Sequence, residues 1–271
     1  MAIVSTAPRP SIGVAIITKN AAAHLETCLA AVRGFAADIV VLDSGSTDQT
    51  LAIARRYGAR VFENRDWRGF GYQKNLAISH LDTDWILSLD ADEIVSPELA
   101  QAIVQAVQEG PHKVYRLSRL SNFCGRWMNY SGWRPDCVER LFRREQARFS
   151  DDLVHEKLRF SGSAPLLVGA LMHYSFDNLD EVIDKMNRYS SAGAMQRYQR
   201  GQRSSGMAGV ILKTLWSFIR TYILRRGFLD GREGFILAVA NAEGTFYRQV
   251  KLMYLSEKQD SQTGGKGGEL R

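Results

Sequence analysis

Two carboxylates stand two residues apart in Asp90-Ala91-Asp92, with Glu93 next, directly after the apolar run 85–89. Side chains two apart on an extended chain point the same way, so the pair repels itself unless a cation lies between. A hard divalent ion, Mg²⁺ or Mn²⁺, suits it, because such an ion takes one or two protein carboxylates and fills its shell with phosphate oxygens and water. The plainer alternative is a solvated acidic turn ahead of the helix that Pro97 opens. Two more polar clusters follow apolar runs upstream: Thr18-Lys19-Asn20 after residues 12–17, and Asp43-Ser44-Gly45-Ser46-Thr47-Asp48 at the end of 38–43. Asp43 and Asp48 read equally as turn formers and a helix cap.

These clusters need elements to hold them. Residues 12–17, 38–43, 60–63 and 85–89 read as strands, and 22–32, 48–57, 71–80 and 97–108 as helices; Ser46 is the expected cap of the second helix, with Gln49 three residues on. Strands alternating with helices of this length predict a parallel, doubly wound sheet, and in such sheets ligands bind beyond the carboxyl ends of the strands. All three clusters sit there. After residue 112 the rhythm changes to antiparallel or mixed strands at 114–120, 138–142 and 166–174. Helices are expected at 180–200, 207–224 and 235–255, with a glycine-rich tail. The loop 122–135 is long and aromatic, which inside a compact domain marks function.

Composition narrows the class. With 271 residues, 45% hydrophobic and 24% charged, the chain can bury a core and is not disordered throughout. No apolar run reaches the length of a membrane span, and the N-terminus shows no signal-peptide pattern. The three cysteines, Cys28, Cys124 and Cys137, form no C-x-x-C and predict reduced thiols. The net charge is +6, and residues 181–258 alone carry 13 Lys and Arg against 6 Asp and Glu. An anionic surface is the partner this asymmetry suggests. Within it, residues 207–226 are amphipathic: Lys213, Thr214, Ser217, Arg220 and Thr221 share one side, with Trp216, Phe218 and aliphatic residues on the other. Such a helix lies on anionic lipid or packs on the sheet domain.

In this order, the apolar strand with Thr18-Lys19-Asn20, Asp43-Ser44-Gly45-Ser46-Thr47-Asp48, Gly71-Tyr72-Gln73-Lys74-Asn75 and Asp90-Ala91-Asp92-Glu93 together resemble family 2 of the inverting glycosyltransferases. Leu153-Val154-His155-Glu156, His173-Tyr174-Ser175 and Arg225-Arg226-Gly227-Phe228-Leu229-Asp230-Gly231 resemble the branch with the lipopolysaccharide inner-core β-1,4-glucosyltransferases. The resemblance implies a GT-A fold, a Rossmann-like mixed sheet flanked by helices, with an amphipathic helical extension. With the charge and composition of the C-terminal part, three segments are expected: a catalytic domain over 1–200, a basic helical extension over 201–258, and a disordered tail over 259–271.

It also implies roles. Thr18, Lys19 and Asn20 line the nucleotide pocket, Asp43 and Ser44 meet nucleobase and ribose, and Lys74 approaches the base or diphosphate. Asp90 contacts ribose or metal, and Asp92 binds a Mg²⁺ or Mn²⁺ ion, with His173 either joining it or serving as a structural histidine. Glu156 is the expected base, with Asp136, Glu139, Asp151 and Asp152 as alternatives; otherwise Glu156 pairs with Lys157 or Arg159 on a strand surface. Trp127, Tyr130 and Trp133 stack on the acceptor's sugar rings, pack beneath the loop or touch lipid. Lysine at position 19 and serine at 44 depart from the family's usual aromatic and acid.

The implied reaction moves a hexose, glucose from UDP-glucose, onto an inner-core heptose of lipopolysaccharide or another lipid-linked saccharide. The implied partners are a nucleotide sugar and an anionic membrane, without nucleic acid, and the location is the cytoplasmic face of a bacterial inner membrane. An aspartate-nucleophile phosphotransferase, a basic lipid- or nucleic-acid-binding module and a sugar-nucleotide pyrophosphorylase are the rivals. The last needs a glycine-rich loop, and residues 18–24 contain no glycine.

Overall fold

The computed structural model describes residues 10–151 and 156–264. Asp152, the first three residues of Leu153-Val154-His155-Glu156 and the end of the expected tail, 265–271, lie outside the described residues. The chain forms two compact units, one of residues 1–120 and 135–174, the other of 121–134 and 175–271.

In the first unit, β1 (Ile12–Thr18), β2 (Asp38–Asp43), β3 (Arg60–Glu63) and β4 (Trp85–Asp90) pair in parallel in the order β3-β2-β1-β4. The inner strands β1, β2 and β4 are largely apolar and buried because both faces of the sheet are covered there, whereas β3, Arg60-Val61-Phe62-Glu63, is the edge strand. Alternation divides the side chains between two cores. Val14, Ile16, Val41, Leu87 and Leu89 join the larger one with α1 (Ala22–Val32) and α4 (Pro97–Glu109), whereas Ala15, Val40, Leu42 and Ile86 face α3 (Phe70–Ser79). Helix α1 buries Leu25, Cys28, Leu29 and Val32, one apolar stripe at helical spacing. Ser96 caps α4 by accepting from Leu99 N–H, and Pro97 opens it.

Beyond β4 the sheet turns antiparallel through β8 (Cys137–Arg143) and β6 (Val114–Phe123), then continues to β11 (Leu166–Phe176) and β5 (Glu93–Val95). A separate hairpin joins β9 (Ala147–Phe149) to β10 (Leu158–Phe160). The expected mixed α/β fold is present. The three-residue strands β5, β9 and β10 are additions to the sequence reading, since three residues carry no measurable period. Helix α2 (Thr50–Arg56) starts later than expected, and Ser46 does not cap it. Asp48 instead accepts from the Thr50 amide and hydroxyl.

The second unit contains β7 (Arg126–Trp127), which pairs with Asn122 and Phe123, and the helices α5 (Leu179–Gln199), α6 (Gly206–Ile219) and α7 (Gly231–Gly264). A π-turn, Arg220–Leu224, and a 3-10 turn, Gly227–Asp230, link the last two. Asn178 caps α5 by accepting from Glu181 N–H. The α5–α7 contact is close: Lys251 of α7 donates to Asn187, Ser190 and Ser191 of α5. Helix α7 carries the chain past residue 255, so the tail expected from 259 is helical as far as Gly264.

Among the described residues one helical stretch, Gly206–Leu224, is long and apolar enough to cross a membrane by length and composition, contrary to the expectation that no run reaches that length. Its orientation also differs from a helix with its polar side in water. Lys213 donates to Gln249, Ser217 to the Asn241 carbonyl and Asn241 to Thr221, so the polar side meets α7. Leu212, Leu215, Trp216, Ile219, Ile223 and Leu224 face outward.

Candidate active site

The register of the parallel strands brings the polar clusters to one edge. Thr18 lies beside Asp43, and Ile17 beside Asp90. Asp43 is fully buried, and its carboxylate accepts from Thr18 Oγ1 at 2.9 Å, Gly45 N at 2.8 Å, and both the amide and hydroxyl of Ser46. Burial pushes its pKa up, but the Ser46, Thr18 and Gly45 donors outweigh burial and hold it below the ordinary carboxylate range. Asn20, at φ 52°, ties this loop to the first: its side chain accepts from Thr47 N and its amide donates to Ser46 Oγ. Thr18, Asn20 and Asp43 thus build the wall of the edge. Lys19 is exposed on it, and the buried Ser44 hydroxyl has no hydrogen-bond partner among the described residues.

An alternating row of charge occupies the same edge. Lys74, from α3, is 2% exposed, which rules out a solvated lysine; its ammonium lies 2.8 Å from Glu156 and 3.0 Å from Asp90 Oδ1. Asp90 Oδ2 meets Arg140 of β8 at 2.5 Å, and Arg140 reaches Glu93 at 3.1 Å. Arg119 of β6 then bridges Glu93 and Asp136. Glu93, fully buried, also accepts from the Asp90 amide at 3.0 Å, so it clamps the turn that carries both aspartates.

Burial opposes ionisation of Asp90, yet Arg140 and Lys74 overcome it and hold the carboxyl far below its usual range. Burial likewise opposes the charge on Arg140, and Asp90 and Glu93 more than restore it. Burial drives the Cys28 thiol upward, with Glu93, Asp92 and Asp90 adding to it, so Cys28 is a neutral core residue beside the site and not a nucleophile.

Glu156 is therefore paired with Lys74, a partner different from the Lys157 or Arg159 that proximity in sequence suggests. Gly71 permits this approach. A Cβ there would run into the Ser150 carbonyl and press on the Glu156 Cβ, so α3 approaches Ser150 and Glu156 only over a glycine. Among the alternative bases, Asp136 is committed to Arg119, and Asp151 is an exposed neighbour of Arg148.

Asp92 stands apart from the row. Its Oδ2 lies 3.6 Å from His173 Nε2, and its side chain is 40% exposed. Among the described residues no group of three or more His, Cys, Asp and Glu gathers as a complete metal shell. The Asp92 carboxylate suits Mg²⁺ or Mn²⁺, which keep positions for phosphate and water, and the imidazole beside it suits Mn²⁺ better than Mg²⁺. Both Asp90 oxygens are engaged by cations.

In the second unit, Tyr130 is 38% exposed, whereas Trp133 packs edge-on against Phe123 with centroids 5.8 Å apart. Trp127 is half-buried in β7. Arg140, Arg119 and the clamp made by Glu93 were not assigned from sequence. An arginine within Cys137–Arg143 reads as a surface strand residue until the sheet order sets β8 beside β4.

Comparison with known proteins gives this edge its family. The family model described as glycosyl transferase family 2 matches residues 13–173, the span that carries the whole charge row. An uncharacterized glycosyltransferase of Rickettsia prowazekii is 30% identical over 91% of this chain and 88% of its own length. The lipopolysaccharide core biosynthesis glycosyltransferase LpsC of Rhizobium meliloti is 29% identical over 90% of this chain and 93% of its own. Among solved structures, glucosyl-3-phosphoglycerate synthase from Mycobacterium tuberculosis aligns with 73% of this chain and 82% of its own at 19% identity and a TM-score of 0.44. The phosphotransferase, pyrophosphorylase and basic-module readings fall away, and the chain belongs to glycosyl transferase family 2.

Proposed function

We propose that this glycosyltransferase moves a hexose, glucose from UDP-glucose, onto an inner-core heptose of lipopolysaccharide in one inverting displacement. The observation that carries the reading is the buried Lys74 held between Asp90 and Glu156, beside the Asp92–His173 pair, at the carboxyl edge of the sheet. A nucleoside diphosphate sugar needs cationic neutralisation of its leaving group, a polar cradle for its nucleoside and a carboxylate for the acceptor's proton. The edge has residues suited to each need. Thr18, Lys19, Asn20, Asp43 and Ser44 cradle the nucleoside, and the unpartnered Ser44 hydroxyl supports a contact there. The choice of uridine and glucose rests on the family resemblance, and the likeness to LpsC supports a lipopolysaccharide core acceptor.

Asp92 and His173 would hold Mg²⁺ or Mn²⁺, which when bound supplies charge stabilisation for the departing diphosphate. Lys74 adds a second positive charge, and Asp90, fixed by Lys74 and Arg140, keeps lone pairs free to accept from ribose. Glu156 takes the proton from the attacking hydroxyl, its orientation set by Lys74.

The acceptor is lipid-linked, and we infer that the second unit rests on an anionic membrane, on its cytoplasmic face. Helix α6 supports this with its apolar side turned outward and its polar side spent on α7. Arg225 and Arg226 follow the exposed apolar run and suit anionic headgroups.

Calorimetric titration of UDP, GDP, CDP and ADP, with and without Mn²⁺, tests the donor site. UDP is expected to bind wild type in a metal-dependent manner, Asp92→Asn to lose that dependence, and Glu156→Gln to bind normally without transferring. Failure of wild type to bind any of the four nucleotides overturns the proposal.

A further inference from the structure

Within the second unit, the stretch 225–231 serves as a receptor for the aromatic loop. Asp230 is 1% exposed, and its carboxylate is filled by that loop: Asn129 N–H donates at 3.0 Å, Tyr130 N–H at 3.0 Å and Ser131 Oγ at 2.7 Å. Ser131 N–H donates to the Arg225 carbonyl at 2.9 Å, and Arg126 reaches the Leu229 carbonyl at 3.4 Å. A buried carboxylate is costly unless hydrogen bonds satisfy it, and charge-assisted bonds to amides are stronger than neutral ones. The loop is therefore held chiefly through its backbone amides and the Ser131 hydroxyl, while the Tyr130 side chain stays 38% exposed.

The glycines of the stretch make room for this grip. A Cβ on Gly227 would come within 3.1 Å of Ser131 Oγ and 2.8 Å of the Thr221 carbonyl. Gly231, at φ 67°, turns the chain into α7 where an L side chain would be strained. The same turn, Gly227–Asp230, exposes Phe228 and Leu229, continuing the outward apolar residues of Gly206–Leu224. Tyr130 is the loop's half-exposed ring, whereas the Trp133 ring is committed to Phe123.

We propose that Asp230 is a positioning residue for the acceptor: it fixes the loop so that Tyr130 receives a saccharide ring of the lipid-linked acceptor. The inference rests on the transferase reading above. It ties the acceptor loop and the lipid-facing turn to one carboxylate, so the height of the loop above the bilayer is set by the fold. Asp230→Asn substitutes an amide N–H₂ for one acceptor oxygen and sets donor against donor at the loop backbone.

The test uses the full-length enzyme, UDP-glucose, and heptose-terminated lipopolysaccharide core in phosphatidylglycerol vesicles. Asp230→Asn and Tyr130→Ala are each expected to raise the acceptor KM about tenfold or more, with donor KM, UDP affinity and saturating kcat within about threefold of wild type. The double variant should be no worse than either single one, because both act through one loop. Ser131→Ala removes one bond of the clasp without touching its carboxylate, and a smaller rise in acceptor KM is expected; it keeps the proposal testable if Asp230→Asn does not fold. An unchanged acceptor KM in folded Asp230→Asn, in Ser131→Ala or in Tyr130→Ala overturns the inference, as does an equal rise in donor KM. Absence of UDP binding by wild type sinks the transferase reading instead.

Discussion

Arg140 shows how much one side chain organises. Its guanidinium joins Asp90 to Glu93, and Glu93 holds the backbone amide of Asp90 from the other side. A planar fork can serve two carboxylates at once, and an ammonium at the end of a flexible stem cannot do so with the same geometry. Arg140→Lys should therefore keep the fold and lower kcat/KM for the donor about tenfold or more, because Asp90 loses one of its two restraints. Arg140→Met leaves the buried Glu93 and the partly exposed Asp90 without that cation and should lower stability by about 3 kcal/mol. Thermal unfolding of both variants, with donor kinetics of the lysine variant, makes the comparison; wild-type kinetics in Arg140→Lys would show that charge alone suffices. Lys74, Asp90, Asp92 and Glu156 were legible in the sequence as chemistry-bearing groups because they stand at strand ends or within ordered motifs. Arg140 was not, since only the pairing of β8 with β4 gives it a carboxylate to meet.

At the scale of elements, the parallel half of the sheet was the easy part. Strands covered on both faces declare themselves as apolar runs, and the bounds of α1 and β3 agree with the structure to the residue. The missed elements β5, β9 and β10 are too short to show a period, yet β5 carries Glu93 and β9 ends at Phe149, whose ring lies 5.4 Å from the Lys74 ammonium. For α6 the amphipathic pattern was readable and its orientation was not. A wheel divides polar from apolar, but it does not say which side has a neighbour. Here the neighbour is α7, and the polar side takes it. Leu215 and Trp216, 55% and 57% exposed, then contribute little burial to the folded unit. Leu215→Glu with Trp216→Glu should leave helicity and thermal stability near wild type and abolish sedimentation with phosphatidylglycerol vesicles. Undiminished sedimentation would remove α6 from the contact, and unfolding would show that the face is packed.

For the whole molecule, the sequence reading divided the chain at residue 200, whereas the two compact units exchange segments: 121–134 belongs with the C-terminal helices, and 135–174 with the sheet. Spacing along the chain does not show this, because residues 129–131 find their partner in Asp230, about a hundred residues away. Two units also mean that unfolding need not be a single step, and acid should separate them. Asp43 and Asp84 of the first unit both have lowered pKa values: burial opposes the shift at Asp43, but the Ser46, Thr18 and Gly45 donors prevail, and at Asp84 the Ser11 amide and hydroxyl are the main cause. A carboxyl with a folded pKa below its unfolded value of about 3.9 adds stability that is full above that value and disappears as pH falls through the folded one. The first unit should thus hold its stability from neutral pH down to about 4 and lose it below. Asp43→Asn removes its share at every pH, so the difference from wild type should be greatest at neutral pH and close as the solution is acidified below about 4. Urea midpoints for both proteins across this range, read by hydrogen exchange at the amides of β1 and β2, give the comparison. A difference that stays constant into acid would mean that Asp43 acts by shape alone and that its charge contributes nothing to holding the two strand ends together.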